Sequence, residues 1–331
     1  MDYFQQNIIL TTKNSNLFIF FSFITSTILS IWLVPKFIDI GKKLNLIDYP
    51  DKRKVHSIPL PRSGGIAIFI AYITPIIIFL YLFSNSIDSK IIIFLIGNLL
   101  FFLIGLIDDF LNISPYIKLF LQILITSILF VLGIRIIGID FSEYISLDIT
   151  LFFPKALSFF FTVIWVVGVT NSINWIDGID GLASGFSLIV SIGLIIINLI
   201  LGQVELAILS ASLAGANIGF LKYNFNPAKI LMGDSGSYFI GFALAILALN
   251  ISPENSPDLF SFKKVILLCV PLFDMFFVIG TRLIKGRNPF QADQSHLHHR
   301  LMLINQNQKQ IVCFIYFVSV IFTAITVYLS L

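Results

Sequence analysis

Residues 91–109 read Ile-Ile-Ile-Phe-Leu-Ile-Gly-Asn-Leu-Leu-Phe-Phe-Leu-Ile-Gly-Leu-Ile-Asp-Asp, a long apolar run that ends directly on two carboxylates. The hydrocarbon core of a bilayer is spanned by about 20 apolar residues in a helix. This stretch therefore predicts a membrane-spanning helix that closes at Asp108-Asp109. Comparable stretches recur along the chain, so we expect an all-α, polytopic integral membrane protein.

The composition extends this expectation to the whole chain. Of its 331 residues, 57% are hydrophobic and 12% are charged, and the mean hydropathy is +0.95. Soluble domains carry about a quarter charged residues because their surface must face water, so an ordinary soluble protein is excluded. The net charge of +3 gives no basic surface for nucleic acid. No loop reaches the size of a soluble domain, and we expect one integral membrane domain over residues 1–331.

Ten apolar stretches have about the length that a membrane span requires. Charged residues, prolines and asparagines separate them. Two of the ten, 157–170 and 237–250, are short and are expected to extend into their flanks. The ten stretches are 17–35, 64–83, 91–107, 118–134, 157–170, 182–201, 205–221, 237–250, 263–284 and 311–331.

The distribution of lysine and arginine orients these spans. Ten spans place both termini on one side and sort the connections into two alternating sets. One set contains 15 of the 21 Lys and Arg residues, and the other set, with the N-terminal tail, contains 6. Because cytoplasmic loops are rich in Lys and Arg, the first set is predicted to be cytoplasmic and both termini outside. The cytoplasmic set comprises 36–62, 108–118, 171–181, 222–236 and 285–310 with Arg282.

The polar residues of these predicted cytoplasmic connections are unusual in type and spacing. Asp108-Asp109 follows its apolar run without a polar spacer, at the membrane boundary, where ionised groups are costly and are usually functional. Two adjacent carboxylates also repel each other unless a cation binds nearby. A divalent metal or a proton-transfer role would explain the pair, and the alternative is a pair of solvated loop carboxylates.

A second segment, residues 171–183, carries a polar side chain at every third position. Steps of three residues spread these side chains over about half of a helix circumference, which favours a helix end that lines a cavity. The alternative is a polar turn whose asparagines and glycines serve the backbone. The side chains concerned are Asn171, Asn174, Asp177 and Asp180.

Two further segments add candidate ligands. Residues 233–237, Gly-Asp-Ser-Gly-Ser, open an apolar helix, where such residues are ordinary N-terminal caps. The start of a helix also attracts anions. Asp234 would bring a metal to the same anion. Residues 296–300, His-Leu-His-His-Arg, do not fit tetrahedral zinc, which draws on Cys or well-spaced His. They indicate phosphate or leaving-group contacts, with a plain basic loop as the alternative.

In their order along the chain, these segments resemble the polyprenyl-phosphate N-acetylhexosamine-1-phosphate transferases, over about residues 36–301. The last loop is similar to the branch that uses N-acetylglucosamine, although Gln294 stands where we expect Arg. The alternative is the phospho-N-acetylmuramoyl-pentapeptide branch of peptidoglycan synthesis. The matching segments are 50–56, 61–65, Asp108-Asp109 with Lys118 and Gln122, 171–183, 224–237, 271–274 and 288–301.

The resemblance implies a reaction at the cytoplasmic face of the cell membrane. An oxygen of polyprenyl (undecaprenyl) phosphate attacks the sugar-bearing phosphorus of a UDP-N-acetylhexosamine, UMP leaves, and the lipid-linked sugar starts a cell-surface glycopolymer. The implied cofactor is Mg²⁺, with Mn²⁺ as an alternative. The implied partners are the UDP-sugar, polyprenyl phosphate and the lipid bilayer; nucleic acid is not among them, and a homodimer is left open.

The resemblance also implies roles for individual residues. Asp234, followed by Asp177, is expected to hold the metal. Asp108 and Asp109 are expected to be catalytic, as base for the lipid phosphate or as support for the metal; we favour direct attack by the lipid over a phospho-aspartate on Asp108. The substrate-binding set is Asn174 and Asp180 for the nucleotide, Lys54, His56 and Lys118 for the lipid phosphate, His296, His298, His299 and Arg300 for the diphosphate or sugar, and Asn224.

Two other classes of protein are weighed against this enzyme. Secondary transporters bind their substrates near the bilayer midplane on broken helices, whereas almost every acidic motif residue here falls at a cytoplasmic end; Asp274, inside the ninth span, is the exception. A membrane scaffold that binds lipid phosphate would need basic residues but no collection of acidic ones.

Overall fold

The fold is a bundle of helices with two small sheets. The computed structural model describes residues 2–51, 56–82, 88–141, 149–250, 259–288, 296–304 and 307–331, with side chains from Ser15 onward. The helices are α1 (Asp2–Lys43), α2 (Gly64–Leu82), α3 (Ser89–Leu111), α4 (Pro115–Val131), α5 (Lys155–Ile176), α6 (Leu182–Ile200), α7 (Val204–Asn224), α8 (Gly233–Leu249), α9 (Phe262–Leu267), α10 (Cys269–Ile284), α11 (Leu297–Met302) and α12 (Gln308–Tyr328).

The helices confirm an all-α polytopic membrane protein. Among the described residues, seven helices are long and apolar enough to cross a membrane, namely α1, α2, α3, α5, α6, α7 and α12, and α4 and α8 are shorter apolar helices. The ninth predicted stretch is divided into α9 and α10, so the count of ten spans stays a prediction. Whether residues 1–331 form a single domain also stays a prediction.

Both short predicted spans extend into their flanks. The stretch 157–170 becomes the 22-residue α5, and the stretch 237–250 becomes α8, which begins at Gly233. Asp234 and Ser235 therefore lie in the first turn of a helix rather than in a loop. Their backbone N–H groups have no acceptor inside the helix and need one from elsewhere.

Helix α8 is the centre of the bundle, because every residue from Ser235 to Leu249 is buried. Aromatic rings from neighbouring helices pack against it. Phe242 stacks on Phe101 of α3 with ring centroids 4.6 Å apart. Phe239 and Phe69 of α2 form a T-shaped pair with ring centroids 5.3 Å apart. A helix that is apolar on all sides is buried, and the packing of α2 and α3 against α8 fixes the position of its first turn.

The two sheets lie at opposite ends of the bundle. Strands β1 (Ile47–Asp48) and β2 (Leu60–Pro61) form an antiparallel pair between α1 and α2. Strand β3 (Gly138–Asp140) pairs antiparallel with β4 (Thr150–Phe152) and parallel with β5 (Leu259–Phe260). This second sheet follows the C-terminal ends of α4 and α8, whereas the polar motifs lie at the C-terminal ends of α3 and α5 and at the N-terminal ends of α4, α6 and α8.

Candidate active site

The two carboxylates that end α3 have different surroundings, and the second of them caps α8. Asp109 is buried, and its Oδ1 and Oδ2 accept hydrogen bonds from the backbone N–H groups of Asp234 at 2.9 Å and Ser235 at 3.0 Å. Met232, at the N-cap position, offers no side-chain cap. A carboxylate at a helix N-terminus satisfies its orphan donors and complements its dipole, so Asp109 fixes the turn that carries Asp234.

The close approach of α3 to α8 depends on a glycine one turn before the carboxylate pair. A Cβ on Gly105 would overlap the carbonyl group of Asp234. Small residues let membrane helices approach backbone to backbone. Gly105 therefore brings the end of α3 within hydrogen-bonding distance of the first turn of α8.

The first carboxylate of the pair belongs to a charged cluster. Lys118, near the start of α4, donates from Nζ to Asp108 Oδ2 at 3.0 Å and to Asp234 Oδ2 at 2.9 Å. Asn174, in the last turn of α5, donates to Asp234 Oδ1 at 3.0 Å and to Ser237 Oγ at 2.9 Å. The structure thus brings together Asp108, Lys118, Asn174 and Asp234, which come from α3, α4, α5 and α8.

Asp177 lies directly after α5 and is partly buried. No residue in the described ranges donates a hydrogen bond to its carboxylate. Burial raises the pKa of Asp177 well above its usual range, and the charges of Asp234, Asp109 and Asp180 raise this pKa further. A cation bound nearby would oppose that rise in pKa, because it favours the ionised carboxyl.

The residues of this cluster match the ligand chemistry of a hard divalent cation, which prefers oxygen. Asp108 Oδ1 is buried and accepts no hydrogen bond from the residues that the structure describes, and Asp177 is likewise unpaired there. The Lys118 ammonium already supplies one positive charge between two of the carboxylates. Within the described residues, no group of three His, Cys, Asp or Glu side chains is placed to hold a metal ion, so the fit rests on the donor chemistry.

Two residues predicted to bind substrate are bonded within the protein. Asp180 Oδ2 accepts from the backbone N–H of Ala228 at 3.0 Å. Asn224 is buried; its Oδ1 accepts from the Gly181 N–H at 3.1 Å and its Nδ2 donates to the Ile230 carbonyl at 2.9 Å. These bonds connect the loop before α6 to the turn before α8. A substrate-binding role for Asp180 and Asn224 stays a prediction.

Three histidines and an arginine form a second cluster, on and beside α11. His296 Nδ1 is 2.9 Å from Asp274 Oδ2 in α10, and its ring lies 5.4 Å from Trp175, which follows Asn174. The His296 and His298 rings stack with centroids 5.7 Å apart. His299 lies beside His298 at 4.4 Å, and the Arg300 guanidinium covers the Phe277 ring at 3.8 Å.

His298 contacts the loop that carries Asp177. A Cβ on Gly178 would overlap the His298 ring, and His298 Nε2 is buried without a hydrogen-bond partner among the described residues. Burial lowers the pKa of His298 to about 3, and the neighbouring His299 and His296 act in the same direction while Asp274 opposes them. His298 is therefore a neutral ring at physiological pH. The histidine cluster and the carboxylate cluster thus meet at the same loop.

Among the predicted residues that the structure describes, His56 forms its hydrogen bonds outside both clusters. His56 bonds through Nε2 to Asp48 at 2.8 Å and through Nδ1 to the Ile58 carbonyl at 2.9 Å, within the connection between α1 and α2. Lys54 lies outside the described residues, as does Gln294. Lipid-phosphate binding by Lys54 and His56 stays a prediction.

Arg62 is a site residue to which the sequence assigned no role. Its Nη2 donates to the Asp109 carbonyl and, at 3.0 Å, to Asn112 Oδ1, so it caps the C-terminal end of α3. The segment that follows is tied to the approach of α8, since Gly64 N–H donates to the Leu231 carbonyl at 3.1 Å. The sequence signal is an arginine that one serine separates from the Gly64-Gly65 pair, because glycines permit close backbone contact.

The chain is similar in sequence to known proteins. A family model described as glycosyl transferase family 4 matches residues 91–252, which include Asp108, Lys118, Asn174, Asp177 and Asp234. The chain is 34% identical over 305 residues to the probable undecaprenyl-phosphate N-acetylglucosaminyl 1-phosphate transferase of Bacillus subtilis (strain 168), covering 91% of this chain and 82% of that protein.

Two further relatives carry similar names. The chain is 31% identical over 308 residues to the decaprenyl-phosphate N-acetylglucosaminephosphotransferase of Mycobacterium tuberculosis, covering 84% of this chain and 74% of the relative. It is 28% identical over 278 residues to the undecaprenyl-phosphate alpha-N-acetylglucosaminyl 1-phosphate transferase of Escherichia coli (strain K12), covering 82% and 73%. The predicted resemblance is confirmed, and the chain belongs to glycosyl transferase family 4.

Proposed function

We propose that this membrane protein transfers N-acetylglucosamine 1-phosphate from UDP-N-acetylglucosamine to a polyprenyl phosphate, such as undecaprenyl phosphate, and releases UMP. The observation that carries the proposal is the cluster of Asp108, Lys118, Asn174 and Asp234 at one end of apolar helices. Phosphoryl transfer requires positioned groups and neutralised charge more than covalent chemistry. The names of the relatives support N-acetylglucosamine as the sugar.

The reaction conserves the number of phosphoanhydride bonds. An oxygen of the lipid phosphate forms a bond to the sugar-bearing phosphorus, and the bond from that phosphorus to the bridging oxygen breaks. The electron pair stays on the oxygen of the departing UMP. Lys118 is a cation held at a fixed place by two carboxylates, where it offsets negative charge as the two phosphates approach each other. Asp108, whose Oδ1 is unpaired among the described residues, would accept a proton from the lipid phosphate.

The proposed cofactor is Mg²⁺, with Mn²⁺ as an alternative, held by Asp234 and Asp177. When bound, such an ion neutralises charge on the diphosphate of the donor. Asp109 would not hold the ion, because both oxygens of its carboxylate accept hydrogen bonds from the first turn of α8. Its role is to fix the position of Asp234.

The proposed orientation places the site at the cytoplasmic face of the plasma membrane and both termini outside. It rests on the lysine and arginine counts of the alternating connections and on the location of UDP-sugars in the cytoplasm. A homodimer stays open, since no contact between copies is described.

Removal of divalent cations tests the proposed metal. We expect EDTA to abolish UMP release and added Mg²⁺ to restore it, with Mn²⁺ as a weaker substitute. Asp177→Asn should raise the Mg²⁺ concentration needed for half-maximal activity by about tenfold or more, because it removes one charged ligand. Full activity of the EDTA-treated protein would contradict the metal assignment.

A competition among donors tests the proposed substrate. Purified protein receives polyprenyl phosphate, Mg²⁺ and equal amounts of UDP-N-acetylglucosamine, UDP-N-acetylgalactosamine and UDP-muramoyl-pentapeptide, and the lipid products are separated by mass. We expect the N-acetylglucosamine lipid to dominate. A dominant muramoyl lipid would support the peptidoglycan branch, and movement of intact UDP-sugar into vesicles without a lipid product would support a transporter.

A further inference from the structure

Asp274 is an acidic residue inside the apolar helix α10, and the proposed reaction leaves it without a role. Its side chain is 1% exposed. Both of its oxygens accept hydrogen bonds from the start of α11. Oδ2 pairs with His296 Nδ1 at 2.9 Å, and Oδ1 accepts from the backbone N–H of Leu297 at 2.6 Å.

A carboxylate in this position is costly unless it is paired. An ionised carboxylate only accepts hydrogen bonds, so Nδ1 of His296 carries the proton in this pair. Nε2 is then the ring nitrogen that is left for a ligand. A partner that binds one ring nitrogen of a histidine fixes both the tautomer and the orientation of the ring.

The rest of the surroundings hold the His296 ring in one plane. The Trp175 ring meets it edge to face at an interplanar angle of 77°, and the His298 ring stacks on it at 7°. Trp175 follows Asn174, which bonds directly to Asp234. The fixed ring therefore contacts the last turn of α5, which also carries Asn174 and leads directly to Asp177.

We propose that Asp274 is a positioning residue: it fixes the tautomer and orientation of His296 so that Nε2 meets the diphosphate or sugar of the donor. This inference rests on the proposed transfer from UDP-N-acetylglucosamine. It assigns Asp274 to the enzyme site. A transporter would instead use an acidic residue inside a span as part of an ion pathway across the membrane.

Asp274→Asn isolates this role, because asparagine keeps an oxygen for the Leu297 N–H and places an NH₂ group, which cannot accept a hydrogen bond, against Nδ1. We expect kcat/KM for UDP-N-acetylglucosamine to fall about 10- to 100-fold, as for other groups that orient an active-site histidine. The KM for polyprenyl phosphate should not change. Phe273→Leu is the matched control, since Phe273 is the adjacent residue of α10 and is 63% exposed.

His296 variants separate positioning from folding. His296→Gln places an amide near the position of Nε2 and leaves no group at Nδ1, so it makes no use of Asp274. Adding Asp274→Asn to this variant should lower kcat/KM by less than about threefold, because two residues that act as one unit are not additive. His296→Asn keeps a donor toward Asp274 but has no group at Nε2, and should lose activity as His296→Ala does.

The outcomes separate this inference from the proposed function. Equal losses from Asp274→Asn in the wild-type and His296→Gln backgrounds would show that Asp274 supports the fold alone and would overturn the inference. So would a wild-type kcat/KM in Asp274→Asn. If the wild-type protein released no UMP from UDP-N-acetylglucosamine, the proposed function would fail, and the inference with it.

Discussion

Replacing Asp234 with asparagine is expected to lower kcat for UMP release by about 100- to 1,000-fold, the effect of removing one group that stabilises charge in a transition state. Asparagine keeps the size of the side chain but removes its charge. The Asp234 carboxylate pairs through Oδ2 with Lys118 Nζ at 2.9 Å and is the proposed metal ligand. The first turn of α8 should persist, because Asp109 caps it through backbone N–H groups that the substitution leaves in place.

The control for Asp234→Asn is Asp39→Asn, which makes the same chemical change at an exposed position of α1. Both variants are purified in detergent, checked for an unchanged unfolding temperature, and assayed for UMP at saturating UDP-N-acetylglucosamine and polyprenyl phosphate. Activity of Asp234→Asn near the wild-type level would remove Asp234 from the site.

Lys118→Met is expected to abolish activity and to destabilise the protein at the same time. The Lys118 ammonium bridges Asp108 and Asp234, and its side chain is 18% exposed. Removing one partner of a buried ion pair leaves an uncompensated charge and costs about 3 to 5 kcal/mol, and partial exposure places this cost near the lower end. Methionine preserves the apolar length of the side chain, so the loss reports on the charge.

A second substitution separates the two effects of Lys118→Met. Adding Asp108→Asn removes one of the two repelling carboxylates, so the double variant should regain most of the unfolding temperature while UMP release stays absent. Thermal unfolding and the UMP assay are measured on the same preparations. A Lys118→Met variant with wild-type stability and activity would contradict the cluster described here.

The helices were largely predictable from the sequence because their signal is local. A run of apolar residues with the length of a bilayer span predicts the position of α3, and the alternation of such runs predicts that the polar motifs lie at one end of the bundle. The period of three across 171–183 placed Asn174 at a helix end, where the structure has it. The strands were not predicted, since two or three residues are too short to show an alternating pattern.

The contacts of the site were less predictable because they join residues far apart in the chain. Asp109 reads in the sequence as one half of a catalytic pair, and the structure shows it as the cap of α8. The sequence marks Arg62 by the glycines near it and Asp274 by its place inside an apolar stretch, but neither signal identifies a partner. Their partners, the end of α3 and His296, become neighbours only when the helices pack, so the geometry of α2, α3, α8 and α10 had to be known first.

The fate of the sugar-bearing phosphorus tests the central claim most directly. UDP-N-acetylglucosamine carrying ³²P in the phosphate attached to the sugar is incubated with the purified protein, polyprenyl phosphate and Mg²⁺, and the lipid and nucleotide fractions are separated. Transfer of the sugar 1-phosphate predicts label in the lipid fraction and unlabelled UMP in the aqueous fraction. Labelled UDP beside an unlabelled glycolipid, or label that stays in intact UDP-N-acetylglucosamine, would contradict it.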